Sequence, residues 1–209
     1  MDGATAAYEV EGTPTDCVKW AVPWFGKKGI EFDYLFSGIN MGANTGLAAY
    51  YSGTISAARE GALHGIRSIA LSVQSHEASE FDYIMSLLPQ VMKMADALDP
   101  STVLSVNSPN LPPEEIKGVR IVEAAPYGYG EAFLFREVND GLFQMEPVPL
   151  GNSAAAEGDS EEGADAGMEA MLKYDYDCLH LGYASISPLI THMSDAAAYN
   201  KLSDLFAAE

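Results

Sequence analysis

FDYLFSGINMGANTG, residues 32–46, is the stretch that decides the fold, and it leads into SGTISAAREGALH, residues 52–64. The apolar and aromatic run from Tyr34 to Phe36 is typical of a buried strand. Glycines and asparagines fill the loop that follows, and Ser52-Gly53-Thr54 opens a run of good helix formers. A strand, a glycine-rich loop and a helix start in this order predict a phosphate-binding turn of an open α/β sheet. Backbone N–H groups approach a ligand closely in such a turn, and the helix start adds partial positive charge.

The predicted turn carries no charge of its own, since residues 34–58 contain no Asp, Glu, Lys or Arg. Its spacing matches neither the P-loop with its lysine nor the dinucleotide-binding pattern Gly-x-Gly-x-x-Gly. A phosphate dianion on a chain of formal net charge −19 therefore needs a cation, and a divalent metal with oxygen ligands is the expected one. Asn40 or Asn44 can give one amide oxygen, so the carboxylate ligands must come from another segment.

The composition predicts a single globular domain over residues 1–209, with 48% hydrophobic residues and a mean hydropathy near zero. No apolar run approaches the ~20 residues of a membrane span. No signal peptide is recognised, and Cys17 and Cys178 form no disulfide framework, so a cytoplasmic location without a membrane partner is expected. With 30 Asp and Glu against 11 Lys and Arg, the chain lacks the basic surface that nucleic-acid polymers require.

Hydrophobic periodicity predicts helices that alternate with strands. The first helix begins at Thr13-Pro14-Thr15-Asp16, and we expect it to end near Val22 because Pro23 follows. Asp16 is interpreted as a capping residue rather than as a catalytic carboxylate. A long amphipathic helix is predicted over 79–98, with Pro89 as a kink. Strands are predicted over 67–73, 102–106, 118–123 and 183–187. This alternation indicates a mostly parallel sheet with helices on both faces.

The second half of the chain differs in character. Residues 131–148 are predicted to form a β-hairpin that projects from the sheet, with its turn at Val138-Asn139-Asp140-Gly141. Residues 151–170 are rich in alanine and glycine, with six acids and no base from Glu157 to Glu169, which is typical of a flexible solvated loop. Asp175 and Asp177 are either an acid/base pair or two residues that face solvent, and the second interpretation is favoured. A C-terminal helix is predicted over 195–206.

Several of these blocks together resemble the SurE family (survival protein E), which are metal-dependent 5′/3′-nucleotidases. The matching blocks cover nearly the whole chain, and they are GTPTDCV at 12–18, SGINMGANTG at 37–46, YSGT at 51–54, IKGVR at 116–120 and GYASISPL at 182–189. The Ser-Gly-Ile-Asn block, with its second asparagine and the following Ser-Gly-Thr, is the specific part of the resemblance.

The resemblance implies a Rossmann-like three-layer α/β sandwich with a mostly parallel sheet and a projecting hairpin. A C-terminal arm, about residues 183–209, would be exchanged between the subunits of a homodimer or homotetramer. The implied reaction is hydrolysis of nucleoside 5′- and 3′-monophosphates, and often of other small phosphomonoesters, with Mn²⁺ or Mg²⁺. No side chain is expected to act as a covalent nucleophile. The implied site residues are Asn40 for the metal, and Gly42, Asn44, Ser52, Gly53 and Thr54 for the phosphate.

One part of the family pattern is not found. The family begins with a strand ending in Asn-Asp-Asp-Gly, whose paired aspartates are the main metal ligands, and a further metal-binding serine precedes the Gly-Thr-Pro block. Only eleven residues precede Gly12 here. The expectation is that an N-terminal βαβ portion of roughly 30 residues or more is missing. The alternatives are a truncated chain, or a degenerate homologue that binds nucleotides or assembles without catalysis. On this basis the 209-residue chain is expected to release little phosphate from nucleotides even with manganese.

Overall fold

Six α-helices and seven strands make up the regular structure of the residues that the computed structural model describes, which are 4–127, 131–139, 142–149, 172–191 and 196–207. The helices are α1 (Pro14–Gly26), α2 (Gly53–Leu63), α3 (Asp82–Ser86), α4 (Leu88–Asp96), α5 (Asp175–His180) and α6 (Ala196–Ala207). The strands are β1 (Tyr34–Met41), β2 (Arg67–Gln74), β3 (Thr102–Pro109), β4 (Val119–Ile121), β5 (Glu131–Asn139), β6 (Leu142–Pro149) and β7 (Ala184–Ile190). Short 3₁₀ helices occupy Gly46–Tyr50 and Pro113–Glu115.

Five of the strands form one sheet in the order β1-β2-β3-β7-β4. The pairs β1–β2, β2–β3 and β4–β7 are parallel, and only β3–β7 is antiparallel among the described pairs of this sheet. The predicted mostly parallel sheet is therefore confirmed. Because β1, β2 and β3 run in the same direction, their carboxyl ends meet at one edge, which is where open α/β sheets bind ligands. Strands β5 and β6 form a separate antiparallel hairpin, as the Val138–Gly141 turn predicted.

Alternate residues of β2 face opposite layers of helices, as the period of two in a strand requires. Ile69 and Leu71 are buried in one hydrophobic cluster with Val91 of α4. Ala70, between them, packs in a second cluster with Ile55 of α2. Helices therefore cover both faces of the sheet, which gives the three-layer architecture.

Helix α1 begins as predicted and ends later than predicted. The backbone N–H of Thr13 donates to Asp16 Oδ2 at 2.8 Å, and Asp16 N–H donates back to Thr13 Oγ1 at 3.3 Å, so Asp16 is a capping residue. The helix does not end near Val22; it continues through Pro23 to Gly26. Aromatic packing supports this last turn, because the ring of Phe25 lies 5.4 Å from that of Phe32.

The predicted long helix over 79–98 is in fact two helices, α3 and α4. Pro89 does not kink a helix interior; it lies in the first turn of α4, where its missing N–H costs no hydrogen bond. The predicted C-terminal helix is confirmed as α6, whereas the predicted acidic loop over 151–170 lies outside the described residues. None of the described helices is both long and apolar enough to span a lipid bilayer.

Candidate functional site

A row of polar residues crosses four neighbouring strands near the carboxyl ends of β1, β2 and β3. The strand register pairs Asn40 with Ser72, Ser72 with Asn107, and Asn107 with Ser185. We call these four residues the polar row. Ser72, Asn107 and Ser185 are completely or almost completely buried, and they lie on the face of the sheet that α2 covers. Polar groups in such an apolar layer are costly unless they form hydrogen bonds.

Asn44 anchors the loop after β1 to the polar row. Its side-chain Nδ2 donates to Ser72 Oγ at 2.7 Å, and its backbone N–H donates to Asn107 Oδ1 at 2.8 Å. Asn107 in turn donates through Nδ2 to Ser105 Oγ at 3.2 Å and to the Asn44 carbonyl at 3.4 Å. Asn44 is itself buried, so its amide fixes the loop against two neighbouring strands at once.

Asn40 and Gly42 hold the start of the same loop. Asn40 is half-buried, and its Nδ2 donates to the carbonyl oxygen of Gly42 at 2.8 Å. The Gly42 N–H donates to the carbonyl oxygen of Val73 at 2.8 Å. A Cβ added to Gly42 would lie 3.0 Å from Cε1 of His76, so the imidazole closely approaches this stretch of backbone. Asn40 Oδ1 remains as one amide oxygen at the end of β1.

The loop ends at the start of α2, where the sequence predicted a helix N-terminus. Ser52 is the N-cap, and its Oγ accepts a hydrogen bond from the Ile55 N–H at 3.1 Å. Ser52 and Thr54 are buried, whereas Gly53 is exposed. The structure thus joins Asn40, Gly42 and Asn44 at the sheet edge and places Ser52, Gly53 and Thr54 at the helix that the same loop enters. Their individual roles in binding metal or phosphate remain predictions.

A buried carboxylate that the sequence did not identify holds the middle of the loop. Asp175 Oδ1 accepts from the N–H groups of Gly46 at 3.1 Å, Ala125 at 2.9 Å and Tyr176 at 2.7 Å. The side chain is 1% exposed, and this burial raises the pKa of Asp175 above its ordinary value. Asp175 therefore connects the loop to α5 and to the segment after β4.

Asp177 has a separate partner, since its Oδ2 accepts from the Tyr127 hydroxyl at 2.5 Å. Burial, followed by this hydrogen bond, raises the pKa of Tyr127. Both Asp175 and Asp177 are buried in α5. The favoured prediction of two solvent-facing carboxylates on a strand or turn was therefore wrong, because α5 turns both side chains inward.

The described residues do not fit a divalent metal ion. No group of three His, Cys, Asp or Glu side chains within them is placed to hold one. Asn40 Oδ1 is a single oxygen, whereas hard divalent cations take six or more ligands. Cys178 is not suited to act as a covalent nucleophile. Burial raises the pKa of its thiol to about 11, so the thiol stays protonated near neutral pH.

Comparisons with known proteins identify the family. A family model described as Survival protein SurE matches residues 2–131, which include the loop and most of the polar row. A 5′-nucleotidase SurE from Synechococcus elongatus is 34% identical over 98% of this chain and 75% of its own length. The chain belongs to the SurE family.

Other SurE proteins match different lengths of this chain. The 5′-nucleotidase SurE of Chlorobium phaeobacteroides is 43% identical over 56% of this chain, but the match spans only 45% of that relative. The crystal structure of the SurE protein from Aquifex aeolicus superimposes with a TM-score of 0.71 at 28% identity, covering 93% of this chain and 73% of that one. The chain thus spans about half to three quarters of the length of these relatives, and the predicted SurE fold is confirmed.

The sequence did not identify three residues that organise the site, which are Asn107, Ser72 and Asp175. Asn107 had a usable signal, because a polar residue that follows an apolar run in a parallel strand lies at the ligand-binding edge. Ser72 merely interrupts the apolar run of β2, which is a weak signal. Asp175 was recognised as a titratable residue, but no local pattern indicated that its partners would be Gly46 and Ala125.

Proposed function

We propose that this SurE-family chain is a phosphomonoesterase that removes phosphate from nucleoside 5′- and 3′-monophosphates. The phosphoryl group binds at the loop of residues 42–46, between the polar row and the start of α2. The anchored loop carries the proposal: Asn44 is hydrogen-bonded to Ser72 and Asn107 within a segment that leads to a helix N-terminus. Relatives that are similar in sequence are named 5′-nucleotidase SurE, which supports the substrate class.

The loop binds an anion through neutral donors. Asn44 Nδ2 has a second hydrogen besides the one given to Ser72, and Ser52 Oγ accepts from Ile55 while its own hydrogen is available to donate. The first N–H groups of a helix have no partner within the helix. These donors are held in position before the substrate arrives, so they stabilise charge on the phosphoryl oxygens without reorganisation. Water is the nucleophile in this proposal.

Dependence on Mn²⁺ or Mg²⁺ is the finer part of the proposal, and it rests on the family resemblance with Asn40 as the predicted ligand. The described residues do not complete such a site. Assembly as a homodimer or homotetramer in the cytoplasm is proposed on the same ground. The part argued from this chain's own contacts is the binding and orientation of the phosphoryl group.

The direct test measures binding and turnover in the same protein. Calorimetric titrations with inorganic phosphate and with 5′-AMP are expected to show competition for one site. Phosphate release from 5′-AMP and 3′-AMP is then followed with manganese and with EDTA. Release that stops on chelation establishes the phosphomonoesterase and overturns the expectation of little release. Competition without release favours a non-catalytic nucleotide-binding module, and failure to bind either compound refutes the proposed site.

A further inference from the structure

A cleft of about 370 Å³ opens beyond the polar row, at the carboxyl ends of β2 and β3. Gln74 and Pro109 line it from the two strands, Asn110 and Leu111 from the loop after β3, and Leu179 and His180 from the end of α5. Its size falls in the range of small-molecule sites, roughly 300–1,000 Å³. None of the residues predicted from the sequence to bind metal or phosphate is among those that line it.

The strand register fixes the position of this cleft relative to the polar row. Gln74 pairs with Pro109, just as Ser72 pairs with Asn107 two residues earlier. Residues two apart in a strand point to the same face and are about 7 Å apart. A phosphate monoester held at Asn44 and the polar row therefore has its alcohol part within reach of the cleft.

His180 presents a hydrogen-bond acceptor at the rim of the cleft. Its Nδ1 lies 2.8 Å from the carbonyl oxygen of Tyr176, and its ring packs on the Tyr176 ring with the centroids 4.2 Å apart. Because a carbonyl oxygen only accepts, Nδ1 carries the hydrogen, and Nε2 of the neutral imidazole has a free lone pair. The ring is thus held by two contacts with one residue while the rest of it is exposed.

Other residues of the lining provide a fixed donor and an apolar surface. Asn110 Oδ1 accepts from the N–H groups of Ser79 and Glu80, each at 3.1 Å, which fixes the side chain and leaves Nδ2 to donate. Leu111 and Leu179 contribute the apolar surface. An apolar wall beside a fixed donor and a fixed acceptor suits a flat heterocycle attached to a hydroxylated ring.

We propose that this cleft binds the sugar and base of a nucleoside monophosphate, and that His180 determines specificity by accepting a hydrogen bond from a sugar hydroxyl through Nε2. The inference rests on the proposed function for the position of the phosphoryl group. Its recognition of the nucleoside rests on the contacts of His180, Asn110 and Leu111 alone.

The test compares 5′-AMP with inorganic phosphate in calorimetric titrations of three variants. His180→Ala removes the acceptor and is expected to raise the Kd of 5′-AMP about threefold to tenfold, the value of one neutral hydrogen bond. Leu111→Ala reduces the apolar wall and is expected to raise the same Kd about threefold. His64→Ala, on the exposed C-cap of α2, is the matched control and should leave both constants unchanged. The Kd of inorganic phosphate should be unchanged in every variant.

These titrations distinguish a failure of the cleft proposal from a failure of the proposed function. If the unaltered protein binds both compounds and His180→Ala or Leu111→Ala leaves the 5′-AMP constant unchanged, the cleft proposal is overturned. Equal losses for 5′-AMP and phosphate would also overturn it, because they indicate a general structural effect. If inorganic phosphate does not bind at all, the proposed function fails. In that case adenosine becomes the probe, and the cleft proposal requires that both variants weaken adenosine binding while His64→Ala does not.

Discussion

Replacing Asp175 is the sharpest test of how the loop is held. In Asp175→Ala the N–H groups of Gly46, Ala125 and Tyr176 lose their common acceptor in a site where the carboxylate is 1% exposed. Leaving a buried donor unsatisfied costs about 1–3 kcal/mol. Taking the lower end for each of the three donors gives a loss of about 3 kcal/mol, a large part of the roughly 5–15 kcal/mol that stabilises a typical domain.

Asp175→Asn is the matched control, because Oδ1 accepts from all three donors and Oδ2 accepts only a second, shared hydrogen bond from Gly46. The new amide nitrogen replaces Oδ2, which lies 3.2 Å from the Gly46 nitrogen, so one unfavourable donor–donor contact is introduced. The variant also removes a buried charge, which offsets that contact. We expect the stability of Asp175→Asn to lie within about 1 kcal/mol of that of the unaltered protein.

The pH dependence has a definite sign. Burial raises the pKa of Asp175 above its ordinary value of 3.8, so between the two values the native state holds more protons than the unfolded state. The stability that this carboxyl contributes is complete below pH 3.8 and is lost as the pH rises through the native pKa. As the pH rises through the native pKa, the unaltered protein should therefore lose stability relative to Asp175→Asn. At higher pH the two should differ by a constant amount.

Urea unfolding followed by circular dichroism measures both effects. The midpoint for Asp175→Ala should fall by roughly 1 M relative to the unaltered protein, and that for Asp175→Asn by much less. Equal midpoints for the two variants would refute the assignment of Oδ1 as the acceptor for three buried donors. If the unaltered protein instead gains stability relative to Asp175→Asn as the pH rises, the raised pKa of Asp175 is refuted.

Four further expectations follow from other contacts. Gly46→Ala introduces a Cβ that clashes with the Tyr127 carbonyl at φ +51°, so it should destabilise at least about 1 kcal/mol more than Gly65→Ala, where φ is +75° and nothing lies within 4 Å. Ser187→Ala should be neutral or stabilising in denaturant unfolding, because its buried Oγ has no hydrogen-bond partner among the described residues, whereas Ser72→Ala should cost about 1 kcal/mol. Asn44→Ala should weaken binding of inorganic phosphate roughly tenfold by calorimetry. EDTA should leave the melting temperature unchanged, and a decrease of several degrees would show that an ion organises the loop.

The sequence predicted the elements of the site better than the contacts between them. The N-cap at Ser52 and the capping box at Thr13 were recognisable because each depends on residues three apart in the chain. The bond from Asn44 to Asn107 joins residues 63 apart, and that from Gly46 to Asp175 joins residues 129 apart. Such pairs depend on how distant segments of the chain pack together, which local periodicity does not encode.

The aspartates of α5 show the second reason for a missed contact. This helix has only six residues, too few for the period of 3.6 to be distinguished from the alternation of a strand. Asp175 and Asp177 therefore suggested two side chains on one face of an extended segment. The mistake concerned the element type, and it reversed the predicted burial of both carboxylates.

The contacts around the loop also explain how an acidic chain could form the proposed anion site. Ser72 and Asn107 of the polar row fix the loop through their bonds with Asn44, which are bonds between neutral groups. The buried carboxylate that contacts the loop, Asp175, accepts hydrogen bonds from three backbone N–H groups. Residues 34–58 contain no formally charged side chain, so the carboxylate that holds the loop comes from α5 and is paired with backbone N–H groups. Since these contacts are made by the protein itself, the proposed phosphoryl site is preorganised, and we expect a cation there to contribute charge rather than shape.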